Sequence, residues 1–246
     1  MTSALNIVSG LLRYAVKREV IDRNVCRDLD RDDRPGVKRV SEPRYLDAVE
    51  VERLLAALTD TFRPVAAACA YAGLRASEAL GLRWEDLDLD AGLLSVARQL
   101  DDDGTLREDV KTPSLRATVP MLPVLARELR AHRSRQAERD LRLVHRSALV
   151  FTTANGKPQS RRNALRALHA AGDAAGLNPP GEEKVGLHDL RHSLVGLALD
   201  AGLSLAEVAV LARHANAKVT GQVYAGLSES GRAGIADKLL DAGIGR

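Results

Sequence analysis

Apolar residues recur at helical spacing through nearly all of this 246-residue chain, and the pattern breaks in only one internal block. A chain patterned this way must bury several amphipathic helices against one another, with room for one small sheet. From Ala4 to about Ile21 the residues Leu5, Val8, Leu11, Leu12, Ala15 and Val16 predict a first helix. A charged run with two prolines and a glycine follows from Arg27 to Pro43, which predicts a solvated linker and a domain boundary near residue 40. Beyond it, Asp47 is placed to cap a helix carrying Val51, Leu54, Leu55 and Leu58, Phe62 to Ala72 predicts a more buried helix, and a third starts near Ser77. The break comes between Leu93 and Met121. There Leu93–Ala97, Thr105–Lys111 and Arg116–Val119, with the turn-forming Asp101-Asp102-Asp103-Gly104, predict three short antiparallel strands. Helical spacing resumes over Leu122–Leu143, Arg161–Ala175, His188–Ala201 and Ser204–Ala212. The expected class is mostly α with a small three-stranded antiparallel β-sheet.

With 45% hydrophobic residues the chain can bury a real core, yet no apolar run reaches the roughly 18 residues of a membrane span. No signal peptide is visible, and the expectation is a cytoplasmic, nucleoid-associated protein. Cys26 and Cys69 suggest neither a metal cluster nor a disulfide framework; both are expected reduced, Cys69 in the core. Of 36 basic residues only seven are lysines. Arginine makes forked hydrogen bonds to phosphate, so this balance suits duplex DNA, as it also suits an ordinary solvated surface. Aromatic residues make up only 3%, which argues against stacking of single-stranded bases.

One string concentrates polar chemistry: Gly186-Leu187-His188-Asp189-Leu190-Arg191-His192-Ser193, at the expected start of a helix. Helical spacing puts His188, Arg191 and His192 on one side. A metal pair from the two histidines lacks a following Glu and a third ligand. A capping cluster and a phosphate-binding site both remain open from this string alone.

Four further segments widen the context. Tyr71 to Leu87, with Gly73-Leu74-Arg75-Ala76-Ser77-Glu78, resembles the first arginine motif of the tyrosine recombinases, or phage integrases. Lys111-Thr112-Pro113-Ser114-Leu115-Arg116 resembles their lysine-bearing hairpin, His188 to His192 their H-x-x-R box, and Leu211-Ala212-Arg213-His214 with Tyr224 their terminal His and Tyr motif. Together they cover about the last four fifths of the chain, in family order.

The resemblance implies a site-specific recombinase that cleaves and rejoins DNA through a 3′-phosphotyrosyl intermediate, without a cofactor or metal. It assigns Tyr224 as nucleophile, Arg75 and Arg191 as clamps on the non-bridging phosphate oxygens, and Lys111 as general acid. His188 would assist proton transfer, His214 would donate to the phosphate, and Glu78 would brace the site. These roles make physical sense, since a tyrosine of ordinary pKa about 10 needs a base and nearby cations to attack. The implied partner is double-stranded DNA, bound by a homotetramer on paired sites, with Ser228–Leu240 as a tail that could exchange between neighbours or fit its own chain. Arg161, Arg162 and Arg166 could follow the DNA backbone or form a solvated face; Trp84 is expected in the core. Two departures stand out: Arg213 occupies a position where most members carry Gly, and residues 1–40 contain only the apparent last helix of the family's N-terminal core-binding domain. A binding-only relative and a type IB topoisomerase-like nicking activity are the competing functions.

Overall fold

The computed structural model describes residues 2–29, 44–108, 117–213, 235 and 237–245. By internal contact the chain forms two units, Met1–Glu42 and Pro43–Arg246. In the first, helix α1 (Thr2–Lys17) is tied to a following 3-10 turn by Asn24, whose Nδ2 donates to the Ser9 carbonyl at 2.9 Å. Its Ile7, Leu11 and Tyr14 are exposed.

The second unit holds the core. Helix α2 (Ala48–Ala57) starts at a reciprocal cap, in which Glu50 N donates to Asp47 Oδ1 and Asp47 N to Glu50 Oε2. Helix α3 (Arg63–Ala72) is buried along its length, a consequence of its alanine-rich sequence, which lets neighbouring helices approach from every side. It ends at Gly73 in the left-handed conformation, φ 59°. After Leu74 the short helix α4 (Ala76–Leu80) begins, and Gly81 then passes so close to the chain at Arg98 that a Cβ would lie 3.0 Å from the Arg98 carbonyl oxygen.

Strands β1 (Leu87–Asp88), β2 (Leu93–Val96) and β5 (Ala117–Pro120) form an antiparallel sheet with order β1-β2-β5 and register Leu87↔Leu94 and Ser95↔Thr118. Strands β3 (Arg98–Leu100) and β4 (Leu106–Glu108) pair separately, Gln99 facing Arg107. The expected strand within Thr105–Lys111 is therefore present as β4 but pairs with Arg98–Leu100 across the Asp101–Gly104 turn; Leu87–Asp88 completes the three-stranded sheet instead. Arg98 is pinned between Asp86, at 2.8 and 2.7 Å, and Glu85, at 3.2 Å, which ties β3 to the turn before β1.

Helices α5 (Pro123–Arg139), α6 (Arg161–Ala174), α7 (Leu187–Asp200) and α8 (Leu205–Ala212) follow the sheet, and residues 237–241 are helical as well. Leu125, Leu129, Leu168, Leu190 and Leu194 are fully buried among them. Trp84 lies in the core as expected, its Nε1 donating to the Leu143 carbonyl at 3.0 Å. Near the C-terminus Ile235, Leu239 and Ile244 are buried in the same core, and Lys238 Nζ donates to Glu207 Oε1 at 2.6 Å. These described residues of the tail thus fit against their own chain. No helix among the described residues is long and apolar enough to cross a membrane.

Gly73 joins the core to the residues discussed next. A Cβ there would lie 3.3 Å from Leu194 Cδ2 and 3.3 Å from the Leu211 carbonyl oxygen, in a conformation that costs an L-residue about 1–2 kcal/mol. Gly73→Ala should therefore lower unfolding stability by more than about 1 kcal/mol in urea titration.

Candidate anion site

The site grows out of the end of α3. Arg75 precedes the first turn of α4 in extended conformation, and Glu78, one turn on, folds back to accept from Arg75 N at 2.7 Å and from Arg75 Nη1 at 2.8 Å. One acidic side chain thereby caps the helix and orients the guanidinium before it. Arg75 stays part-exposed, its side chain 38% accessible, while the Glu78 side chain is 4% accessible.

Arg191 comes from the first turns of α7. Its Nη1 donates to the Gly73 carbonyl and lies 4.0 Å from Glu78 Oε2, and the side chain is buried. The cap of α7 is Asp189, which accepts from Gly186 N at 2.7 Å. Capping is thus the work of Asp189, and His188 and His192 are left for other roles. Their rings meet edge to face with centroids 4.4 Å apart; His192 also faces the Tyr45 ring, at 6.4 Å. Ser193 locks this helix to the chain before α2, its Oγ accepting from Leu46 N at 2.8 Å and donating to the Asp189 carbonyl at 2.7 Å. No group of three metal-ligating side chains occurs among the described residues.

The last described residue of α8's end is Arg213, in the left-handed region with φ 45° and ψ 52°. Its side chain turns inward and Nη2 donates to Glu78 Oε2. Three guanidinium groups, from α4, α7 and the end of α8, thus surround one carboxylate. Sequence reading singled out Arg75, Glu78, His188 and Arg191, and the structure gathers them; the part played by Arg213 was missed. Its position before the last His carried a signal for the left-handed backbone, since most family members have Gly there, but none for where the side chain goes. Lys111, His214 and Tyr224 lie outside the described residues. Arg161, Arg162 and Arg166 are on α6, where Arg161 Nη1 pairs with Asp102 at 3.5 Å and Arg166 donates to Asn163.

The electrostatics follow from this crowding. Burial would raise the Glu78 carboxyl, but Arg213, the Arg75 N–H and the Arg75 guanidinium outweigh it and hold the group below the usual carboxylate range. Burial, then the charges of Arg75 and Arg213, pull the Arg191 guanidinium down to about 10. Desolvation, then His192, Arg191 and Arg75, lower the His188 imidazole. Cys69, fully buried behind the site, is pushed up to about 12 by burial and then by Glu78, so it remains a thiol. Among the described residues, Arg191 Nη2 and Arg213 Nε are buried donors without a partner. Such an arrangement can take up an anion with several hydrogen-bond acceptors.

The phage integrase family matches residues 44–230 of the chain. The chain is 26% identical over 239 residues to a tyrosine recombinase XerC-like protein of Caldanaerobacter subterraneus subsp. tengcongensis, covering 89% of this chain and 60% of that protein. It is 31% identical over 225 residues to tyrosine recombinase XerA of Thermococcus kodakarensis, covering 90% of this chain and 70% of that one. It therefore spans only part of the length of these relatives. Among solved structures it resembles the Tn1549 transposon integrase in complex with a circular intermediate DNA, with a TM-score of 0.68 at 19% identity over 96% of this chain and 78% of that one. The integrase from mycobacterium phage Brujita gives a TM-score of 0.58 at 21% identity, over 98% and 76%. At such identities the likeness is one of fold, that of a tyrosine recombinase catalytic domain.

Two outcomes are expected. Glu78→Gln leaves buried guanidinium groups without their counter-charge and should cost about 3 kcal/mol in urea unfolding, as removal of one partner from a buried ion pair does. His188 should titrate by NMR below the ordinary histidine value of about 6.5. Because its folded value is depressed, the unfolded chain takes up the proton first. The stabilising contribution of His188 is then fully present above about pH 6.5 and is lost as pH falls below that value and through the depressed folded one.

Proposed function

Given that the chain belongs to the phage integrase family, we propose that it is a site-specific DNA recombinase or integrase that cuts and rejoins strands through Tyr224. The observation that carries this reading is the convergence of Arg75, at the start of α4, and Arg191, on α7, upon one buried Glu78, with His188 one turn before Arg191 on the same helix. A diester phosphate in the act of substitution gathers charge on its non-bridging oxygens, and fixed forked donors in a partly dry site stabilise that charge more than they stabilise the ground state.

In this scheme the Tyr224 hydroxyl oxygen attacks the scissile phosphorus while His188, held neutral by its surroundings, takes the phenolic proton. Arg75, Arg191 and His214 hold the non-bridging oxygens. The bond from phosphorus to the 5′-oxygen breaks, Lys111 supplies a proton to that oxygen, and a 3′-phosphotyrosyl ester and a 5′-hydroxyl result. Lysine suits this step because it can give up its proton, as arginine does not readily do. Attack by another strand's 5′-hydroxyl on the ester reverses each transfer and frees Tyr224, so the exchange needs no external energy. The positive charge comes from side chains, and the scheme calls for no metal or cofactor.

Duplex DNA is the proposed substrate, engaged by four copies on two paired sites, with residues 1–40 as the last helix of a core-binding domain and residues 41–246 as the catalytic domain. Binding of this kind displaces counterions, and an interface touching about six phosphates should lose about a thousandfold in affinity between about 50 and 200 mM salt. The deciding experiment incubates the protein with nicked duplexes taken from its genomic flanks and looks for a covalent adduct on a denaturing gel. A shifted band that Tyr224→Phe abolishes is expected. Binding without a band would assign the chain to the non-cutting class, and relaxation of supercoiled DNA without exchanged products would indicate a type IB topoisomerase-like activity.

A further inference from the structure

We propose that Arg213 is a positioning residue of the anion site, a third arginine that clamps Glu78 from the end of α8 and leaves the cluster with a surplus of positive charge for a phosphate to fill. The proposal rests on the reading of this cluster as a DNA phosphate site and adds to it a residue that the family resemblance does not assign.

The backbone argues first. At φ 45° a side chain with a Cβ is strained, and glycine would close α8 in the same way without that cost. Capping the helix therefore does not explain an arginine. The side chain does something more specific: it is 8% accessible, and its Nη2 donates to the same Glu78 oxygen, Oε2, that accepts from Arg75 N at 2.7 Å. Glu78 was already paired without it, since Oε1 accepts from Arg75 Nη1 at 2.8 Å. Arg213 thus does not neutralise a lone carboxylate; it adds a cation to a pair that was balanced.

The charge count follows. Arg75, Arg191 and Arg213 face one carboxylate, Glu78, and the nearby Asp189 is committed to the backbone N–H of Gly186. Two guanidinium N–H donors, Arg191 Nη2 and Arg213 Nε, are buried and unpartnered among the described residues. Unpaired buried donors and crowded like charges are costly in the empty protein, and an incoming anion relieves both at once.

The test is a thermal-shift titration of the full chain with inorganic phosphate, comparing wild type with Arg213→Gly and Arg213→Lys. Arg213→Gly should melt at the same or a higher temperature, because glycine tolerates the left-handed turn, yet bind phosphate about tenfold more weakly. Arg213→Lys, which keeps the charge and loses the fork, should recover part of that loss. Unchanged phosphate affinity in Arg213→Gly overturns the proposal. So does a weaker affinity that comes with a lower melting temperature and is not restored by lysine, since that pattern marks a folding contact. The titration needs no strand cleavage. Absence of the Tyr224 adduct in wild type would overturn the recombinase reading alone, with the phosphate titration still deciding the role of Arg213.

Discussion

The carboxylate of Glu78 holds together parts of the chain that are far apart in sequence. Guanidinium groups strongly resist burial, and Arg191 and Arg213 are nonetheless almost wholly withdrawn from water. They can be there because Glu78 and the Gly73 carbonyl receive them. The end of α3, the start of α4, the first turns of α7 and the end of α8 must all arrive within a few ångströms for this to happen. Packing of Leu74, Leu190, Leu194 and Leu211 brings them there, and each of these is buried to 1% or less. The hydrophobic core thus supplies the free energy that a converging set of like charges consumes.

A third buried arginine, Arg98, belongs to a cluster with a different charge balance. Arg98 faces two carboxylates, Asp86 and Glu85, and Asp86 also accepts from Arg83 N at 2.8 Å. Arg83 also pairs with Glu85, at 3.5 Å, so two cations meet two carboxylates there and no surplus charge is left for an anion. Around Glu78 the balance is reversed, with three cations to one carboxylate. Both sets are built from the same residue types at similar depth. The sign of the residual charge is what separates this structural tie from the proposed phosphate site.

Much of this was legible in the sequence, for reasons that differ by element. Helices α2 and α8 announce themselves through Asp47 with Glu50 and Ser204 with Glu207, side chains that satisfy the first free N–H groups of a helix, followed by apolar residues at helical spacing. The sheet was harder. Strands of two to four residues carry too little alternation to reveal their partners, so the pairing of β4 with Arg98–Leu100 and the use of Leu87–Asp88 as an edge could not be read in advance. Arg75, Glu78, His188 and Arg191 were singled out because each lies in a local string with a recognisable pattern. Arg213 was visible only as a departure from a pattern. Its contact with Glu78 spans 135 positions, and nothing local specifies such a meeting.

Burial, His192 and the arginine cluster act together on His188. His188 and His192 meet edge to face, and protonation of His188 is opposed by burial, then by His192, Arg191 and Arg75. A base is useful for accepting a proton only while it is neutral, so the charge that would hold a phosphate also keeps His188 in the form that can take a proton from a hydroxyl. The same field would favour a phenolate over a phenol for any tyrosine brought into it. In the proposed scheme, phosphate binding, base and nucleophile would therefore not be separate inventions of this site. All three would draw on the excess of guanidinium over carboxylate charge in one partly buried corner of the fold.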